Sequence, residues 1–233
     1  PAFVVTCEHA GNRVPPGYAH LFEGAEALLA SHRGWDPGAG ALARSLARRL
    51  RAPLAITTVT RLLVEVNRTE GHPRVFSELA RPLSGAEREA VLARWYRPYR
   101  RRVRALVERQ GAGGRPVVHA SAHSFTPVLD GEVRDVDVGF LYDPSRAFER
   151  AVVERWVAAL TARAPHLRVR RNRPYLGTSD GLTRTLRGLF PDGAYAGIEI
   201  EVNQAITTGP PAAWRALRGV LGDVCASAAR RGR

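Results

Sequence analysis

The sequence predicts a single α/β domain over residues 1–233, in which helices flank a mostly parallel, mixed sheet. Segments rich in strand-forming residues alternate with helical segments along the chain, which is typical of layered α/β architectures. A chain of 233 residues with 45% hydrophobic content can bury a substantial core. Glycine and proline are spread through the sequence, with no internal repeat or low-complexity linker, so we expect one domain.

Six segments carry the composition of β-strands. The first, "AFVVTC" at 2–7, is apolar and β-branched and stops at a polar turn. The same reasoning predicts the other strands, at 54–59, 116–125, 135–142, 167–171 and 194–203.

Helices are predicted between these strands. Leu42, Leu46 and Leu50 recur four apart within 37–52, and Pro37 suits a first helical turn. Ser84 with Glu87 forms a capping-box pattern, which opens a long helix that Pro98 should kink. Further helices are expected at 147–164, around 181–189 and from about 211 to 230.

The charge of the chain raises the question of nucleic-acid binding. The formal net charge is +13, and all 35 basic residues are arginine. In the densest run, 94–109, the arginines alternate with Trp95, Tyr99 and Val103 at helical spacing, which favours a solvated helix face. An arginine-rich nucleic-acid-binding protein remains the alternative from another functional class, and it predicts salt-dependent retention on DNA.

The expected location is the cytoplasm. The segment "PAFVVTC" is not preceded by a basic stretch or followed by a small-residue cleavage signal. Longer apolar runs are broken by Arg, Gly or Pro well short of the roughly 20 residues that a bilayer requires. Cys7 and Cys225 lack the paired spacing of a zinc ribbon or a disulfide framework, so we expect reduced thiols.

Ionisable side chains gather at the predicted strand ends. Glu8 and His9 follow the first strand, His123 lies near the end of the third and Glu201 lies toward the end of the last. Parallel strands place such residues along one edge of the sheet, where α/β folds bind ligands. Two imidazoles and a carboxylate that leave one position for water are the donor set of a catalytic zinc, and a nearby free carboxylate can act as a base.

A thiol nucleophile is a second possible chemistry. Cys7 lies two residues before His9, and a reactive thiolate requires an adjacent base. A cysteine inside an apolar strand more often serves packing, so the metal hypothesis is preferred over a Cys7-dependent amidase.

Seven blocks together resemble the N-formylglutamate amidohydrolase family and its uncharacterised relatives. In order they are "CEHAGNRVP", "HRGWDPGA", "TRLLVEVNR", "HSFTP", "DVGFLYD", "NRPY" and "IEIEVNQ", and they span residues 4 to about 206. The resemblance implies a phosphorylase/hydrolase-like fold related to zinc carboxypeptidases. It also implies about one Zn²⁺ per chain and cleavage of the amide of a small-molecule N-acyl amino acid. The leading candidate is N-formyl-L-glutamate, which would yield glutamate and formate.

The resemblance implies His9 and His123 as metal ligands. Asn12 stands where distant carboxypeptidase-like relatives use a glutamate, and an amide is a poor zinc ligand. The pattern of the family has an aspartate at position 36, so the resemblance implies Asp36 as the third ligand, with Glu8 as the alternative. Because Asp36 precedes a proline and a helix, an N-cap role fits its position equally well.

The resemblance also implies the remaining roles at the site. Glu201 corresponds to the general base, but Glu199 lies on the same strand face, so alternation alone cannot separate the two. Arg61 would polarise the scissile carbonyl, while Asn67 and Arg68 would bind the substrate carboxylate. Arg134 would contact a second acidic group of the substrate.

Three positions depart from the pattern of the family. Glu65 stands where an aspartate is usual, and Asn203 and Ala205 stand where the N-formylglutamate enzymes carry a cation and an anion. These departures leave open whether the side-chain carboxylate of glutamate is recognised, and with it the amino acid and acyl group preferred.

Overall fold

The computed structural model describes residues 1–227, and their strands lie close to the predicted positions. The strands are Ala2–Cys7 (β1), Leu54–Ile56 (β2), Val117–Phe125 (β3), Val128–Leu129 (β4), Glu132–Val133 (β5), Val138–Leu141 (β6), Val169–Arg171 (β7) and Tyr195–Asn203 (β8). All six predicted strands are present, whereas the short hairpin β4–β5 was not predicted. The second strand ends at Ile56 rather than at residue 59, since Val59 makes only an isolated bridge to Arg13.

The α-helices of the described residues are Glu26–Ala30 (α1), Ala39–Leu50 (α2), Gly85–Val91 (α3), Arg97–Gln110 (α4), Ala147–Arg163 (α5), Leu182–Arg187 (α6), Gln204–Thr207 (α7) and Pro211–Ser227 (α8). Short 3₁₀ helices lie at Pro16–Phe22, Glu78–Ala80 and Ala112–Gly114. The short helices α1 and α7 and the 3₁₀ segments were not predicted. Residues 228–230, which were expected to end the last helix, lie outside the described residues.

The long helix predicted from residue 84 is interrupted before Pro98 rather than at it. The capping box of Ser84 and Glu87 is present, and Leu92–Tyr96 forms a π-helical segment between α3 and α4. Within that segment the amide of Arg97 donates to the carbonyl of Leu92, five residues earlier. Because Pro98 has no N–H to donate, a regular α-helical ladder cannot continue through this point.

The sheet confirms the predicted fold class. Its six strands lie in the order β2-β1-β3-β8-β6-β7. The first four run parallel, whereas β6 is antiparallel to β8 and pairs in parallel with β7. The carboxyl ends of β1, β3 and β8 therefore meet at one edge, where ligands bind in such folds.

The sheet separates two hydrophobic cores. On one face, α2, α5 and α8 pack on the sheet through residues such as Leu46, Trp156 and Leu221. On the other face, α4 and α6 pack through residues such as Val103 and Leu186. Because side chains alternate along a strand, His119, Ser121 and His123 of β3 and Glu199 and Glu201 of β8 share the second face.

The outer surface of α4 has the pattern predicted for a solvated face. Arg101, Arg102 and Arg104 are exposed, while Tyr99 and Val103 are buried. This confirms the helix orientation, and the expected lack of nucleic-acid binding stays a prediction. Among residues 1–227, no helix combines the length and the apolar character that a membrane span requires.

Gly139 permits a close approach of two segments beside the carboxyl edge of the sheet. It pairs with Glu201 across β6 and β8, and a Cβ at this position would lie 2.0 Å from the carbonyl oxygen of Arg173. We expect Gly139→Ala to lower the free energy of unfolding by roughly 1–3 kcal/mol in urea denaturation. The control, Gly219→Ala in α8, meets nothing within 4 Å and should raise that free energy by about 0.5–1 kcal/mol. Equal stability of Gly139→Ala and the unaltered protein would contradict the close approach.

Candidate active site

Three buried side chains from separate segments meet at the carboxyl edge of the sheet. His9 follows β1, Asp36 precedes α2, and His123 lies near the end of β3. Each offers one ligand-type atom, and these atoms all lie within 4.8 Å of one another. The three residues expected as metal ligands are thus brought together.

The distances within this group suit a small divalent cation. Oδ2 of Asp36 lies 3.2 Å from Nδ1 of His9 and 2.9 Å from Nδ1 of His123. Ligands at 2.0–2.1 Å from a tetrahedral zinc lie about 3.3 Å apart, and two imidazoles with one carboxylate are a common donor set for catalytic zinc. The residues therefore fit the metal that the family resemblance implies.

Asp36 does not cap the following helix. The N-cap of α2 is Gly38, and no side chain bonds to the free amides there. The carboxylate of Asp36 instead contacts the two histidines, and Nη1 of Arg61 donates to its Oδ1 at 3.4 Å. Although burial alone raises it, the pKa of Asp36 is held well below its usual range by His9, His123 and Arg61. Asp36 is accordingly ionised, as a ligand must be.

Glu8, the alternative third ligand, lies behind His123 rather than among the three ligand atoms. Its Oε2 is 3.1 Å from Nε2 of His123 and accepts a hydrogen bond from the Ser121 hydroxyl at 2.6 Å. Its Oε1 accepts from the Tyr99 hydroxyl at 2.8 Å. Burial raises the pKa of Glu8, but the contacts with His123 and Ser121 outweigh that effect and lower it well below its usual range.

Glu65 occupies the corresponding position behind the other histidine. Its Oε1 lies 2.6 Å from Nε2 of His9 and accepts from the backbone amide of Asn67 at 3.0 Å. Its Oε2 accepts from Nε of Arg61 at 2.7 Å. Sequence reasoning treated Glu65 only as a departure that concerned the substrate and missed this contact; the available signal was that it is the only carboxylate in "TRLLVEVNR".

Glu201 and Glu199 lie in different surroundings, and the assignment of the general base to Glu201 stays a prediction. Glu201 pairs with His123 across β3 and β8, whereas Glu199 pairs with Ser121, farther from the sheet edge. Oε2 of Glu201 is buried without a hydrogen-bond partner within residues 1–227, and burial raises the pKa of this carboxyl to about 8. Glu199 is less buried, and its Oε1 accepts from the Thr183 hydroxyl at 2.9 Å.

A cavity of about 520 Å³ opens onto this group. The predicted site residues that line it are His9, Asp36, Arg61, Asn67, Arg68, His123 and Glu201, and the alternative base Glu199 lines it as well. Further lining residues that were not predicted include Arg33, Arg74, Arg81, Phe76 and Tyr175. The cavity therefore combines an acidic floor with arginines and aromatic rings nearer the rim.

Arg134 is not among the residues that line the cavity. Its guanidinium lies 4.8 Å from the ring centre of Tyr175 and donates to the Tyr175 hydroxyl at 2.8 Å. Tyr175 does line the cavity. Arg134 thus contacts a residue of the cavity wall, and its expected contact with an acidic group of the substrate stays a prediction.

Asn67 and Arg68 line the cavity and keep donors available. Oδ1 of Asn67 accepts from the amide of Leu182 at 2.8 Å, and Nη1 of Arg68 donates to the carbonyl of Asp180 at 2.6 Å. Within the described part of the chain, Nδ2 of Asn67 and Nη2 of Arg68 have no protein acceptor. These atoms can donate to a ligand carboxylate.

Asn203 and Ala205, the two positions near the end of β8 that depart from the family pattern, lie outside the cavity. Oδ1 of Asn203 accepts from the amide of Ala205 at the start of α7, and Nδ2 of Asn203 donates to the carbonyl of Val136. Neither Asn203 nor Ala205 is among the lining residues. Whether these two positions affect substrate recognition stays a prediction.

Cys7 faces away from the cavity. It packs in the core between the sheet and α2, α5 and α8, and burial raises the pKa of its thiol far above the ordinary value. A thiol that stays protonated in an apolar core is a poor nucleophile. The structure therefore removes the support for a Cys7-dependent amidase.

Residues 2–207 match the protein family described as N-formylglutamate amidohydrolase. A gene product of Agrobacterium tumefaciens has a similar crystal structure, with 32% identity, a TM-score of 0.82 and coverage of 97% of this chain and 90% of that one. N-formylglutamate amidohydrolase from Ralstonia eutropha shares the fold at 18% identity, with a TM-score of 0.71 and coverage of 98% and 93%. Among curated proteins none matches.

A buried histidine below the site should make stability depend on pH. His119 lies 2.8 Å from the Thr6 hydroxyl and 2.7 Å from the Tyr195 hydroxyl, and burial lowers its pKa to about 4. Since its folded pKa lies below the ordinary value, the unfolded chain binds a proton that the folded chain does not as the pH falls below about 6.5. The contribution of His119 to stability is therefore complete at neutral pH and is lost in mild acid.

We expect urea denaturation to show this difference when the protein is compared with His119→Gln. The difference in free energy of unfolding between the two proteins should be about 2 kcal/mol smaller at about pH 5 than at about pH 7.5. A gap that is the same at both pH values would contradict a neutral, buried His119.

Proposed function

Because the chain belongs to the N-formylglutamate amidohydrolase family, we propose that it is a zinc-dependent hydrolase that cleaves the amide bond of an N-acyl amino acid. Family membership indicates a hydrolase that acts on an amide. The observation that supports the finer proposal is the position of Glu201. This buried carboxyl, whose Oε2 has no hydrogen-bond partner within the described part of the chain, lies in the same cavity as the His9, Asp36 and His123 group.

His9, Asp36 and His123 would hold the ion. A bound zinc supplies a Lewis acid and brings the pKa of a coordinated water to about 7. Three protein ligands would be the pattern of catalytic rather than structural zinc sites.

Glu201 would transfer the proton. Its Oε2 takes the proton of the attacking water and then passes it to the departing amine nitrogen. A carboxyl that is buried and lacks a cationic partner holds a proton more readily than an exposed one, as its raised pKa shows, and this favours the second transfer.

Arginine and amide donors would orient the substrate. Arg61 lies beside Asp36, lines the cavity and is 28% exposed, so part of its guanidinium can stabilise the oxyanion that develops on the scissile carbonyl. Asn67 and Arg68 would bind the carboxylate of the amino acid through their available N–H groups. Together these contacts would place the amide between Glu201 and the ligand group.

N-formyl-L-glutamate is the leading candidate substrate. The protein from Ralstonia eutropha with the same fold carries this activity in its name. The arginines near the rim of the cavity, Arg33, Arg74 and Arg81, offer a favourable field for an acidic side chain. A screen of formyl, acetyl and succinyl derivatives of several amino acids would identify the acyl group and side chain preferred.

Metal content tests the ligand assignment. The purified protein should contain about one zinc per chain, and His9→Ala and His123→Ala should each lose most of it because two protein ligands hold zinc poorly. His166→Ala is the matched control, since His166 is exposed and lies in the loop after α5. Zinc content that survives both ligand substitutions would refute this site.

Turnover in a Glu201 variant tests the general base. Glu201→Gln keeps the shape of the side chain, so it should retain zinc while the rate of N-formyl-L-glutamate hydrolysis falls by about 10²-fold or more. Glu199→Gln, on the same face of β8, should lower the rate far less. If Glu201→Gln were fully active, the proton-transfer role would have to move to Glu199 or Glu8.

A further inference from the structure

The two histidines of the candidate metal group are held in the same way from behind. Each presents Nδ1 to Asp36 and Nε2 to a buried glutamate. Nε2 of His9 contacts Glu65 at 2.6 Å, and Nε2 of His123 contacts Glu8 at 3.1 Å. We propose that Glu8 and Glu65 are positioning residues that fix both imidazoles with Nδ1 toward the metal and Nε2 protonated.

This inference rests on the metal site of the proposed function and adds two residues to it. A carboxylate can only accept a hydrogen bond, so each Nε2 must donate. Both Nδ1 atoms face Oδ2 of Asp36, so these three atoms lie around one point, where a bound cation would replace the Nδ1 protons. A carboxylate behind an imidazole also makes the ring a stronger base and a stronger ligand.

Glu65 is held rigidly enough for this role. Nε and Nη2 of Arg61 lie 2.7 and 2.6 Å from its Oε2, while the amide of Asn67 donates to its Oε1. With both oxygens engaged, Glu65 cannot turn away from His9 without leaving Arg61 partly unpaired in a buried setting. Glu65, which departs from the family pattern, would therefore support a metal ligand, and this role requires no contact with the substrate.

Glu8 is fixed by a second set of donors. Tyr99, which α4 places under the sheet, donates to Oε1, and Ser121 of β3 donates to Oε2. Because the Ser121 hydroxyl gives its proton to Glu8, its oxygen accepts from Nε2 of His123, 2.9 Å away. The proton on Nε2 of His123 is thus shared between Ser121 and Glu8.

Zinc affinity, measured by competition with a chromogenic chelator in the absence of substrate, tests this inference. Glu8→Gln and Glu65→Gln keep the size of each side chain and remove its charge, and each should weaken zinc binding by roughly 10–100-fold. Glu70→Gln is the control, because Glu70 pairs with Arg97 and does not contact the group. Affinities of the two variants equal to that of Glu70→Gln would overturn the proposal.

A measurement on the unaltered protein covers the case in which a variant fails to fold. In the zinc-loaded protein with ¹⁵N-labelled histidine, long-range ¹H–¹⁵N spectra should show Nε2 protonated and Nδ1 bound in both His9 and His123. Metal bound through Nε2 of either ring would overturn the proposal. Failure of the unaltered protein to bind zinc would instead refute the metal site itself, and zinc binding without hydrolysis would refute only the proposed reaction.

Discussion

The contact of one carboxylate with two imidazoles organises the site. Oδ2 of Asp36 lies within 3.2 Å of both His9 and His123, and it joins a loop before α2 to the ends of β1 and β3. The parallel pairing of β1 with β3 makes this possible, because it brings the carboxyl ends of both strands to the same edge. Pairing of β3 with β8 then adds Glu201 opposite His123.

Burial makes this arrangement sensitive to charge. Glu8, Asp36 and Glu65 are at most 5% exposed, and an isolated carboxylate at such a position would cost several kcal/mol. Arg61, the two histidines and the hydroxyls of Tyr99 and Ser121 compensate these charges. A divalent cation among Asp36, His9 and His123 would add positive charge at the point where the carboxylates converge. Glu201 is the exception, since its Oε2 has no hydrogen-bond partner among residues 1–227 and burial raises its pKa.

Much of the fold follows from local sequence patterns. The strand at 2–7 and the capping box at Ser84 depend on residues close together in sequence, and both were predicted. The π-helical segment before Pro98 was not, because the missing N–H of a proline shows where a ladder must change but not which geometry replaces it. The short helices lack enough turns for a periodic signal.

The site was partly predictable for the same reason. His9 and His123 were found because each follows an apolar strand, and Asp36 was found through the family resemblance. The contact of Glu65 with His9 was not predicted. Glu65 lies in an irregular loop whose path depends on tertiary contacts, such as the hydrogen bond from its backbone amide to the carbonyl of Val75. The stacking of Arg134 on Tyr175 was likewise not predicted. Such contacts join residues that are distant in sequence and leave no periodic pattern.

The most direct test of the account is anomalous diffraction from crystals of the zinc-loaded protein, collected on both sides of the zinc absorption edge. The account predicts one strong anomalous peak at about 2.0–2.2 Å from Nδ1 of His9, Nδ1 of His123 and a carboxylate oxygen of Asp36. A peak held by other residues, or no peak at this group under conditions in which the protein hydrolyses its substrate, would contradict it.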